Sequence, residues 1–144
     1  MIKFIPISFL ILSIFLTYIG RKFLIIEVSS FLGILIIILA LIIIFLGLST
    51  LILNRTTIIP GDKPKKLVKE GIFRFIRNPI YFGDLLLVIG FSLLFKTLIG
   101  FFISILFFFI LDRIVIPIEE KILEETFKEE YINYKKNVKR WGIF

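Results

Sequence analysis

Residues 70–90, EGIFRFIRNPIYFGDLLLVIG, place Arg74, Arg77, Asn78, Pro79 and Tyr81 within eight positions at the mouth of an apolar helix. A pair of carboxylates, Glu119 and Glu120, follows Pro117 further on. The chain has no His and no Cys. That excludes histidine acid–base catalysis, Ser-His-Asp triads, disulfides and thiolate metal sites. Chemistry must therefore run on carboxylates, Tyr, Asn, Lys, Arg and backbone groups. Each set also has a plain structural explanation. Arg77 can snorkel while Asn78 caps and Pro79 opens a membrane helix, and acids in a first turn suit the helix dipole. These explanations leave Tyr81 and Asp84 on the next turn, and Gly71 and Phe73 before it, without a reason. An acid inside a span is a candidate functional group, although a Lys or Arg on a neighbouring helix would also account for it. The glutamates open an apolar stripe just past the last span, where one of them could hold a cationic ligand group.

These residues sit in a chain of 144 residues, one domain by size. Its hydrophobic fraction of 58% and mean hydropathy of +1.03 exclude an ordinary soluble globule. With that composition, the net charge of +7 points to an anionic lipid surface rather than to nucleic acid. Residues 31–53 are free of charge for 23 positions, long enough to cross a bilayer. Residues 4–20 give a second uncharged run of 17. Lys3 before an apolar core also fits a cleaved signal peptide. No small-x-small site follows, however, and Arg21 and Lys22 close the run, so a retained span is expected.

Residues 80–111 contain only Asp84 and Lys96 as charges before the run ends. One long span would bury Lys96 at a cost of about 2.5–3.5 kcal/mol or more. Two short helices turning at Phe95-Lys96-Thr97 put it at an exposed tip. The loop 54–79 holds seven Lys/Arg, and the tail from Arg113 holds seven more. Positive-inside reasoning places both in the cytoplasm, which requires the hairpin. The expected architecture is all-α and integral to the membrane. Four spans cover about 4–20, 31–53, 79–95 and 97–116, with a cytoplasmic loop over 54–78 and both termini cytoplasmic. An amphipathic cytoplasmic helix over 117–141 carries the stripe Leu123, Phe127, Tyr131, Tyr134, Val138 and Trp141. It lies against the bilayer surface or against the mouth of the bundle.

The runs KKLVKEGIFRFIRNPIYFGDLLLVIG and EEKILEETFKEEYINYKKNVKRW resemble the isoprenylcysteine carboxyl methyltransferases and the related phospholipid N-methyltransferases. Both groups are integral membrane enzymes that use S-adenosylmethionine. The first half of the shared pattern, LV-x-x-G-x-[YF]-x-x-x-R-[HN]-P-x-Y-x-G, is met by Leu67, Val68, Gly71, Phe73, Arg77, Pro79, Tyr81 and Gly83. The second half, E-E-x-x-L-x-x-x-F-G-x-x-Y-x-x-Y-x-x-x-V, is met by Glu119, Glu120, Leu123, Phe127, Tyr131, Tyr134 and Val138. Two positions depart from the best-known members, and a third from the prenylcysteine methyltransferases. Asn78 replaces a histidine, Lys128 stands where a helix-ending glycine is usual, and Val115 replaces an arginine thought to meet a substrate carboxylate. The nearest arginine is Arg113.

The resemblance implies S-adenosylmethionine as methyl donor. Lys65, Lys66, Leu67, Val68 and Phe73 would line it, Asn78, Pro79, Ile80 and Tyr81 would hold its two ends, and Glu119 would take its ammonium. It also implies catalytic roles for Arg77, Asn78, Tyr81 and Glu120, and a substrate-binding role for Arg113. Gly83 is expected to bind substrate too: it lies seven residues from Gly90 on one helical face, where a side chain would obstruct close packing or an incoming acyl or prenyl chain. The acceptor is a membrane-dissolved prenyl or lipid amphiphile, and no metal and no nucleic acid are expected. A prenylcysteine-like carboxylate is the favoured acceptor because it is already ionised at neutral pH. A phospholipid amine must first lose a proton, to Tyr81, Asp84 or the glutamates. A non-catalytic membrane protein that keeps the fold is the reading from another class. Asp84 and Lys96 are too few polar groups to line a transport path.

Overall fold

A computed structural model describes residues 5–23, 25–59 and 61–142. The start of the first expected span, at Phe4, lies outside the described residues. The elements are helices α1 (Ile5–Gly20), α2 (Ser30–Leu53), α3 (Pro79–Leu94), α4 (Leu98–Ile110), α5 (Ile116–Phe127) and α6 (Glu129–Asn137). A 3-10 turn, Gly71–Arg74, precedes α3, and a π segment, Leu111–Val115, joins α4 to α5. Among the described residues there is no strand, only an isolated bridge between Ile25 and Thr97. The protein is all-α and of membrane type. Two helical stretches, Ser30–Leu53 and Leu98–Phe127, are long and apolar enough to cross a bilayer, and Pro6–Gly20 and Pro79–Leu94 are shorter apolar helices.

On α2 the usual relation of size to burial is inverted. Its buried positions are Gly33, Ala40 and Gly47, seven residues apart, whereas Phe31 is 66% and Phe45 69% exposed. A face of small residues lets two backbones approach where apolar side chains gain nothing by leaving lipid. α3 supplies the partner face. A Cβ on Gly33 would lie 2.6 Å from the Leu94 backbone nitrogen and 2.8 Å from the Gly90 carbonyl. A Cβ on Gly83 would meet Ile44 and come within 3.1 Å of the Ala40 carbonyl. Gly83 therefore belongs to the α2–α3 seam. On the other side of α3, Thr17, Ser92 and Ser104 are buried, and each returns its hydroxyl to the carbonyl four residues back.

The hairpin turns where expected. Lys96 is exposed at its tip with φ +53°, and Thr97 donates to the carbonyl of Gly20 at 3.1 Å. The Ile26 amide reaches the Lys96 carbonyl at 2.9 Å, so the end of α1, the start of α2 and the tip are tied together. At the opposite end lie the start of α1, the end of α2, the start of α3, and α5 and α6.

Two boundaries differ from the sequence expectation. The fourth helix does not stop near residue 116 but continues through the π segment into α5. Pro117 has no N–H, and its ring crowds the carbonyl one turn back. Widening the turn over 111–115 keeps the rod helical instead of breaking it. The helix expected over 117–141 is two helices, parted at Lys128 (φ +48°, ψ −122°), and the second ends at Asn137. Lys128 is the position where the resembled pattern has glycine, and the backbone takes a glycine-like conformation there. The aromatic stripe packs inward, with Tyr131 and Tyr134 buried against Leu67 and Leu123, Phe127 and Val138 beside them. It covers the mouth of the bundle, not the bilayer surface.

Candidate functional site

The loop 54–78 is folded back by its own polar groups. The Thr56 hydroxyl accepts from the Lys65 and Lys66 amides at 3.2 and 3.4 Å and donates to the Lys66 carbonyl at 3.2 Å. The Lys66 ammonium pairs with Asn54 and, at 3.2 Å, with Glu70. Gly71 turns the chain with φ +59° hard against Thr50, where a Cβ would lie 2.9 Å from the hydroxyl. That turn tucks Phe73 inside, and its carbonyl accepts the Tyr134 hydroxyl at 2.6 Å. Burial raises the Tyr131 and Tyr134 phenols above the ordinary tyrosine range, so both stay neutral.

Asn78 sits at the N-cap of α3, as its plain structural explanation requires, but its side chain makes no capping bond. Its backbone N–H donates to the Arg140 carbonyl at 3.4 Å, next to an Arg77 backbone N–H that donates to the Lys139 carbonyl at 3.1 Å. The side-chain nitrogen Nδ2 of Asn78 is buried and has no partner among the described residues. A buried donor left unpaired costs free energy unless something satisfies it.

The two glutamates part company. Tyr81 donates to Glu119 Oε1 at 2.6 Å, and both residues line a cavity of about 410 Å³. Glu120 does not line it. It is buried, 3.0 Å from Arg77, and gripped by Arg140 through Nε to Oε1 at 3.1 Å and Nη2 to Oε2 at 2.8 Å. Arg140 continues to Asp112 at 2.8 Å, and the Trp141 indole donates to the same carboxylate at 3.0 Å. Burial pulls the Arg140 guanidinium down, but its hydrogen bonds to Glu120 and Asp112 outweigh that and raise it. The Glu120 carboxylate is thus fully engaged, and its place is behind the wall rather than in it.

Of the residues expected to hold the donor, Lys66, Leu67, Val68 and Phe73 line the cavity, as do Asn78, Pro79, Ile80, Tyr81 and Glu119. Lys65 is exposed and contributes only its backbone to the loop. Arg77 is in the lining, with its guanidinium turned onto Glu120 and within 3.4 Å of the Tyr131 hydroxyl. Arg113 is not brought to the cavity. Its side chain is 76% exposed and, among the described residues, pairs with Asp112 alone, from within the π segment. Gly83 is taken up by α2, as described above.

Sequence reasoning missed Asp112 and Arg140 and gave Trp141 only an apolar role. The signal available was an Arg-Trp pair directly after the stripe, with an acid at the end of the preceding span. It also missed the apolar walls, Pro6, Ile7 and Leu10 of α1 and Leu48 and Leu51 of α2. Nothing in their composition separates these residues from lipid-facing neighbours.

An all-α bundle of apolar helices with a polar cap over one end, and a cavity where the two meet, has the form of a membrane protein. Residues 28–130 match the family model described as phospholipid methyltransferase, and the chain belongs to that family. It is also similar to the protein-S-isoprenylcysteine O-methyltransferase of Saccharomyces cerevisiae, 42% identical over 74 residues. That match takes in 50% of this chain and 30% of the yeast protein, so the chain spans less than a third of that relative's length. No solved structure matches the chain.

Proposed function

We propose that the protein transfers a methyl group from S-adenosylmethionine to the headgroup of a membrane-dissolved amphiphile, in the cavity between the polar cap and the apolar helices. The unpartnered Asn78 Nδ2 beside the Tyr81–Glu119 pair carries this reading. A buried donor and a carboxylate in one wall suit a polar ligand with an ammonium group. The aromatic faces of Phe73 and Tyr81, both in the lining, suit a cationic sulfur. A volume of about 410 Å³ is of the size that small-molecule sites have. The residues therefore fit the group.

In this reading Glu119, held by the Tyr81 hydroxyl, takes the ammonium, and Asn78 donates to the polar end. Leu67, Val68 and Ile80 exclude water from the apolar side. When bound, S-adenosylmethionine supplies an activated methyl group. The work of the chain is alignment and the exclusion of water. Arg77 acts by position: paired to Glu120 and tied through its amide to Lys139, it fixes the loop that presents Asn78.

The acceptor's chain would lie between Pro6, Ile7 and Leu10 on one side and Leu48 and Leu51 on the other, the apolar part of the lining. A carboxylate acceptor, suggested by the sequence resemblance, needs a cation to meet it, and Arg113 is turned away from the cavity. The gathering of α1's start, α2's end and α5 at the loop's end of the bundle supports four crossings with both termini cytoplasmic. Reporter tags after Ile59 and at the C-terminus should both read cytoplasm, and one at Lys96 the opposite side. Opposite locations for the first two would end this topology.

Equilibrium binding of labelled S-adenosylmethionine to detergent-solubilised protein tests the donor. Glu119→Gln should weaken binding by roughly 1.5–3 kcal/mol, the range for a charged hydrogen bond. Glu125→Gln, on an exposed position, should change it little. Equal effects would mean that the acids act only as bulk charge.

A further inference from the structure

An amine acceptor needs a base, and the residues beside α3 that could serve are Tyr81, Asp84, Glu119 and Glu120. Asp62, Tyr131 and Tyr134 also line the cavity, but Asp62 is engaged, the Tyr134 hydroxyl is given to the Phe73 carbonyl and the Tyr131 hydroxyl meets Arg77. Of the first four, the fold occupies three. Tyr81 and Glu119 hold one another at 2.6 Å, and Glu120 is claimed by Arg77 and Arg140. Asp84 is left. It is 8% exposed, lines the cavity, and makes no hydrogen bond or ion pair among the described residues. It lies three residues beyond Tyr81, about 4.5 Å further along the helix axis and toward the apolar end.

The charged and titratable groups facing that part of the cavity are few. On its own helix there is Tyr81, and from α5 there is Glu119. The lining residues of α1 and α2 are all apolar. Arg77 and Lys66, the cations in the wall, are engaged by Glu120 and by Asn54 and Glu70. An isolated carboxylate in apolar surroundings is costly, and a cation entering beside it removes that cost.

We propose that Asp84 receives the ammonium headgroup of the amphiphilic acceptor and takes its proton, so that this one carboxylate sets the acceptor class. The inference rests on the methyl-transfer reading and adds the acceptor's headgroup and the base. One N–H bond of the ammonium breaks and one O–H bond forms on an Asp84 oxygen. The nitrogen keeps the electron pair, and a neutral amine beside a neutral carboxylic acid replaces the ion pair. A neutral pair is the better tenant of an apolar cavity, and the freed electron pair is what a methyl acceptor requires.

The test uses full-length protein in detergent with a tail-labelled fluorescent alkylamine as probe, competed by dodecylamine or by dodecanoate. Labelled S-adenosylmethionine binding is measured on the same samples. Wild-type protein should favour dodecylamine over dodecanoate by about tenfold or more. Asp84→Asn, which keeps the shape but cannot pair with a cation, should lose about ten- to a hundredfold in dodecylamine affinity and none for dodecanoate. Asp84→Glu should restore most of the amine binding. Cofactor affinity should stay within about threefold throughout, which shows that the variants are folded. Unchanged amine binding in Asp84→Asn, equal loss of both amphiphiles, or a wild-type preference for dodecanoate would each overturn the assignment. Amine selectivity through Asp84 without any S-adenosylmethionine binding would support the site and remove the methyl-transfer reading instead.

Discussion

Along α2 the buried positions are Gly33, Ala40 and Gly47, and the large apolar side chains look outward, Leu53 at 81% exposure. Around Glu120 the buried groups are charged, with Arg77 at 8% and Glu120 at 5% side-chain exposure. The first region is held by shape, since in lipid an apolar side chain gains little from burial and close backbone contact supplies the attraction. The second is held by charge satisfaction, because the cap closes over groups that water no longer reaches. The cavity lies along the boundary, with polar residues of the loop and α5 on one side and apolar residues of α1 and α2 on the other.

Removing one charge from the cap gives the largest expected effect. Glu120→Gln leaves the buried Arg77 guanidinium without its anion and should destabilise the fold by about 3–5 kcal/mol, as breaking buried pairs does. Unfolding followed by denaturant titration in detergent measures it. Glu119→Gln in the same assay should cost far less, because Glu119 is only half-buried and lines the cavity. Similar losses from both would erase the distinction between wall and network.

The seam should answer to size and not to charge. Gly33→Leu drives a side chain into the backbone of α3 at Gly90 and Leu94, and the cost should reach about 3 kcal/mol. Phe45→Leu, on the outward face of the same helix, should be close to neutral. Comparing the two variants by the same titration decides whether α2 is bound through its small residues. Equal effects would mean that it is not.

The smallest effect has the opposite sign. Lys128 holds a backbone conformation that suits glycine, at a cost on the order of 1 kcal/mol. Lys128→Gly should raise the thermal midpoint slightly, less than the full strain because glycine also loosens the unfolded chain. A lowered midpoint would show that the Lys128 side chain contributes contacts that outweigh the strain.

Much of this was legible in the residues. The uncharged runs gave the apolar helices, and the Lys96 tip followed from the cost of burying a lysine. The linked motifs marked most of the cavity wall, from Leu67 to Tyr81 and Glu119. Gly83 and Gly90 read as a face for close packing or for an acceptor chain, with Gly83 binding substrate. The structure gives that face to α2 instead, a partner hidden because Gly33, Ala40 and Gly47 repeat within a run whose other residues are mostly large. Glu119 and Glu120 are neighbours of one type. Only a helix turned by a fixed angle per residue sends one to the cavity and the other to Arg140.

By itself, then, the sequence determined what is local or one-dimensional: helix, hydropathy, charge distribution, the absence of histidine and cysteine, and the motif spacings. Tertiary structure decided which partners the polar groups found. It turned Arg113 outward within the π segment, drew Arg140 and Trp141 onto Asp112, and folded the aromatic stripe over the mouth of the bundle. It also left Asp84 and the Asn78 side-chain nitrogen without partners among the described residues, beside a cavity. The reason is that a residue's type fixes what bonds it can make, whereas satisfaction depends on groups far along the chain, Glu120 on Arg77 and Arg140 above all.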